Sequence, residues 1–212
     1  MALYPIGKIE RVNLRSMWKR EAADFTKWLA ENIDYLNEII DLDISVESIE
    51  EKVGPYRVDI FGESGDGRKI IIENQLEKTD HTHLGQLITY LVNLDVKIAI
   101  WITSSPTDEH QAVIEWLNET TPDDLSFYLI KVEGIKIKGQ ESVAPLFTVM
   151  EGPTEERKKN RRRKERICSK TRRAEEVLNG SQWTWRDCAQ YEVFRDGLVT
   201  AGPTHDVCTF SS

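Results

Sequence analysis

The sequence is poor in cysteine: three residues in 212, Cys168, Cys188 and Cys208. They are too few and too widely spaced for a disulfide scaffold or a zinc site, which points to the reducing cytoplasm. Long apolar runs are also missing. The longest, such as Ile98 to Ile102, fall far below the roughly 20 residues that cross a bilayer. Met1 to Gly7 lack a cationic stretch followed by an apolar one, so no signal peptide is expected there. There is no internal repeat, no Gly/Ser-rich linker, no phosphate-cradling glycine loop and no serine or cysteine nucleophile motif. What is present is an ordinary balance, 40% hydrophobic and 30% charged, which excludes wholesale disorder.

The net charge of −8 is unevenly placed. Residues 1–150 hold 15 Lys+Arg against 26 Asp+Glu, giving −11, and residues 151–212 hold 13 against 10, giving +3. Arg157 to Arg173 alone carries eleven basic residues and one acid, Glu165. This break sets an expected boundary near Gly152-Pro153. A first domain spans 1–150, followed by a basic tail over 151–212 that is disordered or divergent. Such a run is either a passive solvated extension or a grip on nucleic-acid phosphate; in the second case truncation after Gly152 should weaken nucleic-acid binding and flatten its salt dependence, and in the first it should change neither.

Periodicity predicts a helix over residues 16–40, broken near Asn32, with Trp18, Phe25, Leu29 and Leu36 in its apolar stripe. A weak strand follows over 44–50. Strands over Tyr56–Glu63 and Arg68–Gln75 flank a turn at Ser64-Gly65-Asp66-Gly67. Asp80 to Leu94 reads as a helix capped by Thr79 or Asp80, and Val96 to Thr103 as a buried strand. Ser105 as N-cap and Pro106 as first residue open another helix, which stops before Pro122. Ser126 to Val132 is a strand, and Ile135–Lys138 and Leu146–Met150 are short edge strands. The order predicts a three-layer α/β sandwich, a central mixed β-sheet flanked by helices.

The chemistry centres on the hairpin. Folding it about Gly65-Asp66 puts Asp59 opposite residue 72 or 73, beside Glu73, and Gln75 shares the face of Glu73. Two like charges on apolar strands need compensation, and a hard divalent cation such as Mg²⁺ or Mn²⁺ supplies it. The bland alternative is a strand end emerging into solvent. Glu21 lies at the margin of the first helix's stripe, either as a solvated flank residue or as a further group facing the sheet. His83, Gln86 and Tyr90 form a polar strip beside the leucine face of the next helix, either a surface strip or a set able to hold a phosphate or base. Asp80, His81 and His83 do not match a transition-metal spacing.

These residues resemble the PD-(D/E)xK nuclease superfamily, the restriction-endonuclease-like fold: Asp59, then Glu73-Asn74-Gln75 after a hairpin, and a Gln86 to Tyr90 run similar to the QxxxY motif of its RecB-type branch. More closely, Glu21 to Thr26, Ile72 to Glu77 and Thr79-Asp80-His81 resemble the hallmark runs of an uncharacterised prokaryotic domain family, over roughly residues 5–150. The resemblance implies a metal-dependent DNA endonuclease. Asp59, Glu73 and Gln75 would be catalytic; Glu21, Asp59 and Glu73 would hold Mg²⁺ or Mn²⁺; His83, Gln86 and Tyr90 would contact substrate. A homodimer would suit cleavage of both strands, with defence or DNA repair as the setting. The chain departs from the superfamily at Gln75, where lysine is usual, so Gln75→Lys should retain or raise activity if the positions correspond. That departure and the −11 charge also support an inactive nucleic-acid-binding or assembly module of the same fold. A metal-binding regulatory protein without a nucleic-acid partner is a third reading.

Overall fold

The computed structural model describes residues 6–53, 56–155, 157–163, 166, 191–193 and 199–201. Most of the predicted basic tail, and all three cysteines, lie outside the described residues. The chain divides into two compact units, Met1–Lys158 and Lys159–Ser212.

The first unit opens with strand β1 (Ile9–Val12), helix α1 (Leu14–Met17), a π-helical turn (Glu21–Thr26), α2 (Lys27–Glu31) and α3 (Asp34–Asn37). Strands β2 (Ser45–Val53), β3 (Tyr56–Glu63) and β4 (Lys69–Lys78) follow, then α4 (His81–Asn93), β5 (Ile98–Ser105), α5 (Asp108–Thr120), β6 (Ser126–Ile137) and β7 (Ala144–Glu151). The sheet is mixed: β2, β3 and β4 run antiparallel in turn, whereas β4, β5 and β6 run parallel. Leu129 to Lys131 of β6 pair with β5 on one side and β7 on the other. Gly134 and Ile135 pair with both β1 and β7. Strand β1 therefore takes over the edge of β6 that β5 leaves.

The alternation of β4 explains the three layers. Ile70 and Ile72 belong to the core that includes Phe25, Leu29 and Leu36, while Ile71 belongs to the core of Leu87, Leu91, Ile114 and Leu117. A strand buried on both faces reads as a continuous apolar run. No helix among the described residues is long and apolar enough to cross a membrane.

Three local expectations are corrected. The predicted helix over 16–40 is interrupted earlier than Asn32: Trp18 and Arg20 are extended, and the chain resumes as the π turn. Asp24 accepts a hydrogen bond from the Arg20 N–H at 2.8 Å, so a short carboxylate competes with regular helix at this point. Helix α5 begins after Thr107, not Ser105, because the β4–β5 ladder extends to Ser105 and the Thr107 side chain caps the His110 N–H. Strand β6 runs unbroken through the predicted gap after Val132, and β1, which pairs its far half, has no counterpart in the sequence reading.

The turn behaves as expected. Ser64 N–H donates to Arg68 O, and Gly67 takes a φ of 81°, a conformation glycine adopts without penalty.

Arg157, the first residue of the basic run, donates through Nη2 to the carbonyls of Thr121 and Pro122 at 3.1 and 2.9 Å. It thereby ties down the chain just past the end of α5. Arg157→Ala should cost about 1–2 kcal/mol, seen as a melting temperature lower by about 2–8 °C. In the second unit, β8 (Tyr191–Val193) pairs antiparallel with β9 (Val199–Ala201).

Candidate active site

In the β3–β4 ladder Phe61 pairs with Ile71 and Ile60 with Ile72. One step further along that register, Asp59 stands opposite Glu73. In the β2–β3 ladder Ile49 pairs with Ile60 and Glu51 with Val58, which sets Glu50 beside Asp59. The strands thus deliver three carboxylates to one place, and a cleft of about 340 Å³ opens there. Glu50 comes from β2, Arg57 and Asp59 from β3, Glu73 and Asn74 from β4. Helix α4 adds His83, Gln86 and Tyr90, and the π turn adds Glu21.

The carboxylates are not equivalent. Glu73 is 4% exposed, and its Oε1 is buried without a hydrogen-bond partner. Burial, reinforced by repulsion from Asp59, pushes its acid dissociation up to about 9. Burial likewise pushes Asp59 up to about 6, against the opposing effect of the Asn74 N–H, which donates to Asp59 Oδ2 at 2.8 Å. Glu50 and Glu21 add repulsion at both positions. Proton or cation, some positive partner is favoured between Asp59 and Glu73.

Glu50 is the residue that the sequence reading missed. Its φ is 52°, left-handed for a residue in a strand, and that region costs a side chain with a Cβ on the order of 1 kcal/mol. Its Oε2 meets Arg57 Nη2 at 2.6 Å, and its Oε1 is buried without a partner. Nothing in the Ile49-Glu50-Glu51 run marks this backbone excursion.

The other predicted residues divide. Glu21 lines the cleft, but from the first position of the π turn and not from an α-helical flank, and one of its carboxylate oxygens accepts the Leu76 N–H. His83, Gln86 and Tyr90 share the cleft. The Tyr90 hydroxyl donates to Arg57 O at 3.0 Å, and the residue is 6% exposed. Gln75 is not among the lining residues. It is buried, and its Nε2 donates to Lys78 O at 2.8 Å and to Asp80 Oδ2 at 2.9 Å. His81 faces away from any shared site with His83: its Nδ1 is 3.1 Å from Nε2 of the buried His110, whose Nδ1 meets Thr79 and Thr107. Among the described residues, no group of three or more His, Cys, Asp or Glu side chains is set to hold a metal ion. The available donors are the Asp59–Glu73 pair, with Glu50 and Glu21 at the margin.

No family model matches the chain, and no curated protein matches it. Among solved structures, a repair endonuclease from Pyrococcus abyssi is similar over 47% of this chain and 44% of its own, at 19% identity and a TM-score of 0.41. EndoMS in complex with dsDNA is similar over 50% and 43%, at 20% identity and a TM-score of 0.40. SfsA of Pyrococcus furiosus, in complex with Ca²⁺, is similar over 54% and 60%, at 17% identity and a TM-score of 0.32. The chain spans less than half the length of the first two.

Proposed function

We propose that the chain is a metal-dependent DNA endonuclease of the cytoplasm that hydrolyses phosphodiester bonds. The observation that carries this reading is the Asp59–Glu73 pair: two mutually repelling carboxylates from neighbouring strands, Glu73 buried and Asp59 half-buried, with Glu73 Oε1 lacking a partner in an open cleft. The donor set fits Mg²⁺ or Mn²⁺. It consists of hard oxygens, and one or two carboxylates with water and substrate phosphate completing the shell are the usual protein share for Mg²⁺. Asp59 and Glu73 would hold the ion, with Glu21 and Glu50 near enough to favour it electrostatically. Bound there, the ion would stabilise charge on the phosphoryl oxygens and raise the acidity of a water.

The chain's own groups supply the rest. Arg57, held by Glu50, lines the cleft with the carboxylates and would meet a phosphate oxygen there. Along α4, His83 presents a ring nitrogen and Gln86 an amide to the cleft. Tyr90 fixes the Arg57 backbone through its hydroxyl, so its contribution to substrate binding runs through Arg57. Gln75 contributes through the strand end and helix start that it joins. Cutting both strands of a duplex would call for two copies, since the two-fold of the duplex matches that of a homodimer.

The test is a Mg²⁺ and Mn²⁺ titration with supercoiled plasmid DNA. Ion-dependent nicking or linearisation is the expected result. DNA binding without cleavage would replace this reading with an assembly module, and ion binding without DNA binding with a metal-binding regulatory protein.

A further inference from the structure

We infer that His83 is the general base for the attacking water, oriented by Asp80, which Gln75 in turn holds in place. This rests on the hydrolytic reading of the cleft and assigns a proton acceptor within it.

The side chains form a continuous chain of hydrogen bonds from the β-sheet to the cleft. Gln75 is buried on β4 and donates through Nε2 to Asp80 Oδ2 at 2.9 Å. The other oxygen, Asp80 Oδ1, stands 2.9 Å from both the His83 N–H and the His83 ring Nδ1. Bonds from the His83 backbone, and then from its ring, hold Asp80 below the usual carboxylate range, so it is ionised and can only accept. The neutral imidazole must then carry its proton on Nδ1. That leaves Nε2 as a lone-pair acceptor on a residue that lines the cleft with Asp59 and Glu73.

A helix cap alone does not require this arrangement. One carboxylate oxygen on the His83 N–H satisfies the start of α4. Here the same oxygen also fixes the ring, and the second oxygen is pinned by a buried amide. The Gln75 amide is itself anchored by Lys78 O at 2.8 Å, so Asp80 cannot swing away from the ring without leaving one N–H of that buried amide without its acceptor. An imidazole held this firmly in one tautomer and orientation is what proton abstraction from a positioned water needs.

In the step, the water oxygen attacks phosphorus and forms the new P–O bond, while one water proton passes to His83 Nε2. The opposite P–O bond breaks, and its electron pair leaves on the departing oxygen, which takes a proton from solvent. One product ends in a phosphate monoester and the other in a hydroxyl. The imidazolium returns its proton to solvent.

Two measurements decide the matter. In metal-free protein, ¹⁵N NMR of the histidine rings should show His83 as the Nδ1–H tautomer. In Asp80→Ser, which keeps an N-cap hydroxyl but does not reach the ring, the signal should move toward Nε2–H; Asp80→Thr serves as the second variant if the first melts early. With supercoiled plasmid and Mg²⁺, His83→Gln should slow single-turnover cleavage about 10²- to 10⁴-fold with little change in plasmid binding. Added imidazole should restore part of the rate of His83→Gly, and Asp80→Ser should slow cleavage about tenfold. If the parent cleaves and His83→Gln cleaves equally fast, His83 is not the base and the nuclease reading stands. A Nε2–H signal in the parent also overturns the inference. A parent that does not cleave with either ion overturns both.

Discussion

Asp59→Asn and Glu73→Gln should each abolish most ion-dependent cleavage, by about 10²- to 10³-fold, while leaving the protein folded and more heat-stable at neutral pH. Each substitution removes one charge at nearly constant shape. Removing one group that stabilises charge in a transition state costs about 2.7–4 kcal/mol, and about 1.4 kcal/mol is a decade in rate. The gain in stability has the same origin. Without an ion, folding at neutral pH makes Glu73 take up a proton, a cost that the neighbouring Asp59 charge raises, and Glu73 Oε1 has no donor. Glu73→Gln removes that proton uptake, and Asp59→Asn removes the charge that raises its cost. The combination is diagnostic: a variant that lost both activity and melting temperature would mark the residue as structural, and a fully active Glu73→Gln would remove Glu73 from the chemistry. Plasmid cleavage and thermal melting on the same preparations give both readings.

The second large effect is in the pH dependence of the metal-free protein. Glu73 dissociates at about 9 in the folded chain against an ordinary 4.5. The native state therefore holds a proton that the unfolded state has already released, and stability falls as pH rises through this window. Other shifted groups act elsewhere. The lowered Asp24, Asp80 and Glu133 contribute stability that is lost only at acid pH, and neutral, buried His110 contributes stability that is lost below about 6.5. The raised Lys97 loses its contribution only above 10.5. From pH 7 to 9 the slope is thus set by Glu73: up to about 2–3 kcal/mol for one proton over two units, or roughly 5–10 °C of melting temperature. Glu73→Gln should be flat over that interval. Mg²⁺ or Mn²⁺ should raise the parent's melting temperature, more at pH 9 than at pH 7, because the ion binds the ionised pair. A parent curve that is flat from 7 to 9 would show that the Glu73 proton is not held as the geometry implies.

The hairpin was legible because its signals are local. A Gly-Asp-Gly turn and three consecutive isoleucines mark its two strands and narrow the partner of Asp59 to residue 72 or 73, and the ladder decides for Glu73. Helix α4 announces itself through Asp80 and its leucine stripe. The first helical region was less legible, since the Asp24–Arg20 bond and the extended Trp18 to Arg20 stretch break a periodicity that looks continuous. Glu50 reaches the cleft through a left-handed backbone turn inside a strand, which residue pattern does not encode. Strand alternation put Gln75 on the face of Glu73, but alternation does not fix where a long amide ends, and here it ends on Asp80.

The pairing of β1 with β6 has a consequence for the order in which the chain assembles on the ribosome. Ile9 pairs with Ile137, so β1 waits unpaired until nearly the whole first unit has been synthesised. The β3–β4 hairpin needs only its own two strands and a short turn, a contact of low sequence separation that closes early. The nascent chain therefore brings its two carboxylates together long before its first strand finds its place. During that interval β1 is the open strand, and its edge closes only when Gly134 to Ile137 of β6 are made.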